Sequence, residues 1–151
     1  MILDTSLLMC NATAAFAAAG TALVGNQIQF GTLATMKNPL RGSQDLFLVL
    51  TITTAFVGAT ATIDVQLASD DTAAIATNGT ATGHWRTQPQ AVATMTAGRR
   101  WIVPMPWDPD PEAFLGILVT TATATTTAGA ITAELMIGAP QDWVALPDAV
   151  N

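Results

Sequence analysis

"DLFLVLTITTAFVGATATIDVQLASD", residues 45 to 70, is the stretch whose reading decides the fold. In its second half, Ile63, Val65 and Leu67 alternate with Asp64 and Gln66, the period-two pattern of a strand with one buried and one wet face. Its first half, "LFLVLTIT", is apolar at both sets of alternate positions, which predicts a strand that is central in its sheet or covered by a partner. Between them "TTAFVGAT" carries Gly58, a residue suited to tight reversal, so the two strands are expected to form a hairpin.

A second stretch, "FLGILVTTATATTTAGAITAELMIGAP" from 114 to 140, repeats this pattern. Ile131, Ala133, Leu135 and Ile137 share one side, opposite Thr132, Glu134 and Met136, and "LGILVTT" before them is apolar on both faces. The expectation is a second hairpin, in the equivalent place of a facing sheet. Asn78-Gly79 signals a two-residue turn between the two stretches, and "AGRRWIVPMP" reads as a short strand running into prolines. In "PWDPDPE", Pro106, Pro109 and Pro111 remove backbone donors and fix φ, which describes a stiff exposed loop. The Ala-rich N-terminal region contains Thr13, Thr21, Val24, Gly20 and Gly25, which favour an extended, turning path over a helix.

Many short strands separated by turns predict an all-β chain, an antiparallel β-sandwich of jelly-roll type with an extended N-terminal arm. One domain is expected over residues 1–151. Residues 1–30 would form the arm and first strand, and 141–151 a C-terminal tail anchored by Trp143.

The charged share is 11%, against roughly 25% in ordinary soluble domains. Either threonine, asparagine and glutamine wet much of the outside or another protein covers part of the apolar surface, and the two are compatible. A net charge of −6 with only five basic residues argues against a nucleic-acid partner, whose phosphates are neutralised by clustered Lys and Arg. An anionic membrane is disfavoured by the same sign of charge. No apolar run reaches the roughly 20 residues of a membrane helix. No Lys or Arg precedes Lys37, so a secretory signal is not expected and the chain reads as cytoplasmically made. A single cysteine, Cys10, allows no internal disulfide and reads as a small buried hydrophobe.

Residues that could carry chemistry are few, and no cofactor is expected. His84 in "TATGHWRT" has no evident acid, nucleophile or metal-binding partner nearby. Ser6, Ser43 and Ser69 lack the context of a nucleophile elbow. Asp108, Asp110 and Glu112 alternate with prolines, which suits a solvated acidic loop better than a calcium loop. Four tryptophans (Trp85, Trp101, Trp107 and Trp143) without any tyrosine fit three roles: capping the core, a protein interface, or sugar stacking.

Three segments together resemble the capsid cement, or decoration, proteins of tailed bacteriophages. The opening "MILDTSLLMCNATAAFAAAGTALVGNQIQFG" has Ile2, Asp4, Leu7, Phe30 and Gly31 where that family has an apolar pair, an Asp, a Leu and an apolar-Gly ending. The central stretch is similar at Thr54, Ala55, Phe56, Gly58, Val65, Leu67, Ser69 and Asp70, and "GRRWIVPMPWDPDPEAFLGILVTTATATTTAGAITAELMI" resembles the family's last part. Cys10-Asn11-Ala12-Thr13 and Glu112 to Gly116 depart from the family pattern. The resemblance implies a jelly-roll virion protein on the capsid exterior, made in the host bacterial cytoplasm, that bridges neighbouring major capsid subunits. It also implies self-association, as a homodimer in preference to a trimer. Partner contacts are expected from the N-terminal arm (Ile2, Leu3, Leu7, Leu8), from the Pro-rich loop (Trp107, Pro109) and from Trp143. The alternative is a carbohydrate-binding β-sandwich module of a phage tail or bacterial enzyme, resting on exposed tryptophans and Thr/Asn-rich faces.

Overall fold

A computed structural model of the chain describes residues 7–15, 18–29, 46–105 and 111–137. Among the described residues nine strands run in the order β1 (Leu8–Ala14), β2 (Gly20–Gln29), β3 (Leu46–Val57), β4 (Thr62–Asp70), β5 (Thr82–Arg86), β6 (Gln90–Ala91), β7 (Arg100–Pro104), β8 (Phe114–Ala122) and β9 (Ala128–Ile137). They form two antiparallel sheets, one ordered β1-β9-β3-β7 and the other β2-β8-β4-β5, with the two-residue β6 continuing the edge along β4. This order is that of a jelly-roll sandwich, as expected.

The pairing differs from the expectation in one decisive respect. β3 and β4 do not form a hairpin, nor do β8 and β9. Each pair turns a corner from one sheet to the other, and the two similar segments pair with each other, β3 against β9 and β4 against β8. Each strand's alternation is satisfied equally by either arrangement, because it specifies which side is buried and not which neighbour lies alongside. The equivalence of the two segments holds, since β3 and β8 are both central in their sheets, flanked on both edges.

The core lies between the sheets. Leu48, Leu50 and Ile52 of β3 meet Ile63, Val65 and Leu67 of β4, Leu115, Ile117 and Val119 of β8 and Ile131, Ala133 and Leu135 of β9 in one cluster. Burying side chains of this size stabilises by about 1.5–3 kcal/mol each, before conformational entropy is subtracted.

The N-terminal region also departs from expectation. Residues 8 to 29 are not an arm with one strand but two strands in opposite sheets, β1 along β9 and β2 along β8. β1 carries two register shifts, and one lets the consecutive residues Met9 and Cys10 both reach the core. Residues 1–6 lie outside the described residues.

Asn78-Gly79 does not close a two-residue hairpin. It lies in the longer connection 71–81, between paired strands that leave Ser69 opposite Thr82. This connection folds back over the outer face of the β2-containing sheet. Ile75, 3% exposed, joins Ala68, Leu118, Leu23 and Ala81 in a second apolar cluster there. Asp70 fastens the loop's start, its carboxylate accepting the N–H groups of Ala76 at 2.9 Å and Thr72 at 3.3 Å.

The Ala76 bond is the largest influence on Asp70 and holds its carboxyl below its ordinary 3.8, against a smaller opposing effect of burial. A carboxylate of depressed pKa in the folded state stabilises above the unfolded value, and the contribution is lost as pH falls through the folded value. Hydrogen-exchange protection at the Ala76 amide is therefore expected to fall as pH drops below 3.8 while the β4–β8 amides hold. Asp70→Ala should show that loss already at neutral pH, and unchanged protection in this variant would refute the assignment.

The outer face of β4 is drier than its sequence predicts. Asp64, expected on the wet side, is 5% exposed. Its carboxylate is paired with the Arg86 guanidinium, and the Thr87 hydroxyl approaches it at 3.3 Å. Thr87 marks the bend between β5 and β6. Its N–H donates to the Val65 carbonyl while its hydroxyl accepts the Val65 N–H, so a side chain takes over one ladder bond as the chain kinks.

Candidate functional site

The described side chains were placed by the fold in two kinds of site, one internal and polar, one external and apolar. The internal one joins residues that appear unrelated in sequence. His84 is the extra residue of a bulge in β5, since Leu67 pairs with Trp85 but Ala68 with Gly83. Its Nε2 lies 2.8 Å from Ser69 Oγ, which also accepts the Glu112 N–H at 3.0 Å. The Thr82 hydroxyl donates to Glu112 Oε1 at 2.5 Å.

A Ser-His pair at this distance has the geometry of an activated nucleophile. The Ser69 side chain, however, has no exposed surface to offer a substrate, and its hydroxyl accepts a main-chain donor. The arrangement acts as a staple, tying β4 and β5 to the chain entering β8. Glu112, expected in a solvated acidic loop, is instead held at both its N–H and its carboxylate, next to a buried Pro111. The signal that could have revealed this is an isolated serine ending a strand otherwise apolar on that side.

Among the described residues no group of three or more His, Cys, Asp or Glu side chains could hold a metal ion. Cys10 is buried, with its thiol donating to the Val24 carbonyl at 3.3 Å, and burial pushes its pKa from 9.0 up to about 12. It is a packing residue, as its sequence context suggests. No helix among the described residues is long and apolar enough to cross a membrane.

Trp85 and Trp101 sit within β5 and β7, and both pack against the main core. These are the strands at the same edge of the sandwich, so the rings cap the core there. Arg99 covers the outer side of Trp101 with its guanidinium 4.6 Å from the ring centroid. Sugar stacking would need exposed ring faces, and these two rings are committed to packing. Trp107, Pro109, Trp143, Ile2 and Leu3 lie outside the described residues. Leu7 packs against the core. Leu8 occupies the edge strand β1 in register with Glu134.

The external site is the outer face of the β1-β9-β3-β7 sheet. Register aligns Leu8, Glu134, Val49 and Ile102 in one row across all four strands, with Met136, Phe47 and Pro104 in the next. Ile102 is 36% exposed, a large apolar side chain facing out. Thr132, Thr51 and Arg100 form the row on the other side, where Arg100 Nε donates to Thr51 Oγ1 at 3.3 Å. The two outer faces of the sandwich thus differ. The loop carrying Ile75 closes over one, while on the other Ile102 is exposed and Val49 and Met136 are buried. Near the β3–β4 corner an open concavity of about 350 Å³ adds a further apolar surface, lined by Phe56, Val57, Ala61, Val92 and Ala93, and Val57 is 52% exposed.

A comparison with the curated proteins gives no match. Residues 9–135 match the family model described as Bbp16, a span running from the second residue of β1 to within two residues of the end of β9. That description names no activity, ligand or partner. With the match extending over far more than half of its length, the chain belongs to the Bbp16 family.

Proposed function

We propose that this protein is a structural virion component that binds the outside of a phage capsid and cements neighbouring major capsid subunits. In this reading it acts as a homo-oligomer, a dimer in preference to a trimer, and needs no cofactor. The observation that carries the proposal is that Ile102 of β7 and Val57 at the end of β3, in the same sheet, are large apolar side chains exposed to solvent. A sheet that presents large apolar side chains to solvent has a surface suited to another protein. The resemblance of three segments to cement proteins supplies the kind of partner.

The physics of such a role requires no reacting group. A protein that binds an assembled shell but not its separated subunits stabilises the shell by mass action. Self-association adds a second attachment at high effective concentration, so that individually modest contacts hold. The −6 charge suits a partner that must not adhere to DNA.

The test is to mix the purified protein with capsids lacking it and to follow co-sedimentation and the temperature at which the shells release DNA. Stoichiometric binding with a raised release temperature is expected. Ile102→Glu should weaken binding by at least tenfold while leaving the fold intact, since it buries a charge only in the complex. Absence of binding by the natural chain would overturn the proposal, and a saturable fluorescence response to oligosaccharides would then favour the carbohydrate-binding alternative.

A further inference from the structure

The connection 71–81 contains a chemical reactivity that none of the roles above uses. Asn78 and Gly79 are both exposed, and Gly79 has φ +92° with no atom within 4 Å of where a β-carbon would stand. The Asn78 side chain is not free to wander. Its Oδ1 accepts the Thr80 N–H at 3.1 Å and the Thr80 hydroxyl at 2.7 Å. This Asx turn folds the carboxamide back along the chain, beside the Gly79 peptide that links the two residues.

We infer that Asn78 is a site of spontaneous deamidation in the folded protein, held ready for cyclisation by Thr80. The Gly79 amide nitrogen gives up its proton to solvent base and forms a bond to Asn78 Cγ. The tetrahedral adduct expels ammonia, leaving a five-membered succinimide. Water then opens the ring at either carbonyl and yields aspartate or isoaspartate at position 78. The balance is amide plus water to acid plus ammonia, with no oxidant, reductant or enzyme needed.

Three features of the site favour this course. Glycine on the C-terminal side leaves the attacking nitrogen unshielded, which a side chain would not. Two donors on Oδ1 draw electron density from Cγ and stabilise the negative charge that gathers on that oxygen during attack. Solvent reaches the loop to take the proton and supply the water. Three other asparagines lack this combination. Asn11 precedes Ala12 and Asn26 precedes Gln27, both within strands, and Asn38 precedes Pro39, whose nitrogen has no proton to lose.

The two products differ in consequence. Aspartate keeps an oxygen acceptor for Thr80 and adds a negative charge to a loop that already holds Asp71 and begins at Asp70. Isoaspartate reroutes the main chain through the former side chain and destroys the Asx turn. The loop that covers one face of the sandwich would thus change with the age of the protein.

The test uses the full folded chain, held in mildly alkaline buffer and sampled over weeks. Trypsin releases Gly42 to Arg86 as one peptide in which Asn78 is the sole asparagine, so mass and fragmentation report this site alone. Aspartate and isoaspartate are expected to accumulate at 78 in the folded protein, not at all in Asn78→Gln, and several-fold more slowly in Thr80→Val. Three results would overturn the inference: an Asn78 that stays intact when folded but converts in urea, conversion of Asn11 or Asn26 at the same rate, or an unchanged rate in Thr80→Val.

Discussion

Gly25→Ala is expected to lower the stability of the protein by about 2–4 kcal/mol, the sum of a left-handed backbone imposed on an L-residue and a clash that cannot relax. Gly25 has φ +77°, and a β-carbon there would lie 2.2 Å from the Met9 carbonyl oxygen and 2.6 Å from Cys10 Sγ. Both belong to β1, in the opposite sheet. The glycine therefore occupies the point at which the edges of the two sheets close on each other. Its position coincides with the register irregularity in β2, between Val24 and Ile28. A backbone oxygen cannot swing aside as a side chain can, so the edge must open. Gly79→Ala is the control, because φ is also positive there but space is open. Thermal unfolding of the two variants separates the contact from the backbone cost. If Gly25→Ala proves no more destabilising than Gly79→Ala, the close approach of the two edges carries no energetic weight.

Alkaline pH should destabilise the fold through Cys10. Its pKa is 9.0 when solvated and about 12 when buried. For a thiol raised in this way the contribution is fully present below the unfolded value and is lost as pH rises toward the folded one. Unfolding free energy should fall on the order of 1.4 kcal/mol per pH unit between 9.0 and about 12. The sequence makes this measurement clean, since it has no tyrosine and Lys37 is its only lysine. Urea unfolding of the natural chain and of Cys10→Ala across this range decides the matter. The variant begins less stable but should show a flatter profile, and parallel profiles would assign the alkaline loss to something other than Cys10.

The amount of this protein that is legible in its sequence follows from how local each signal is. Ile63, Val65 and Leu67, or Ile131, Ala133 and Leu135, declare their buried side through their own alternation, and the structure places all six in the core. "LFLVLTIT" and "LGILVTT" announce central strands because they are apolar on both sides, and β3 and β8 are central. What could not be read is the neighbour. A corner and a hairpin both need a turn near Gly58 and both satisfy the same alternation, so the choice depends on contacts between residues 46 and 137 or 62 and 122. The polar staple was hidden for a related reason. Ser69, His84 and Glu112 are far apart in the chain and become partners only when a bulge turns His84 toward Ser69.

By itself the sequence determined the all-β class, the central strands, the buried thiol and the scarcity of reactive groups, because composition and period-two alternation act within a few residues of each position. Tertiary structure alone decided that the two similar segments embrace each other, that Trp85 and Trp101 serve the core, and that the loop carrying Ile75 closes over one outer face. Those outcomes depend on which distant strands meet, and the free energy that selects among pairings is a property of the whole packed core, not of any one segment.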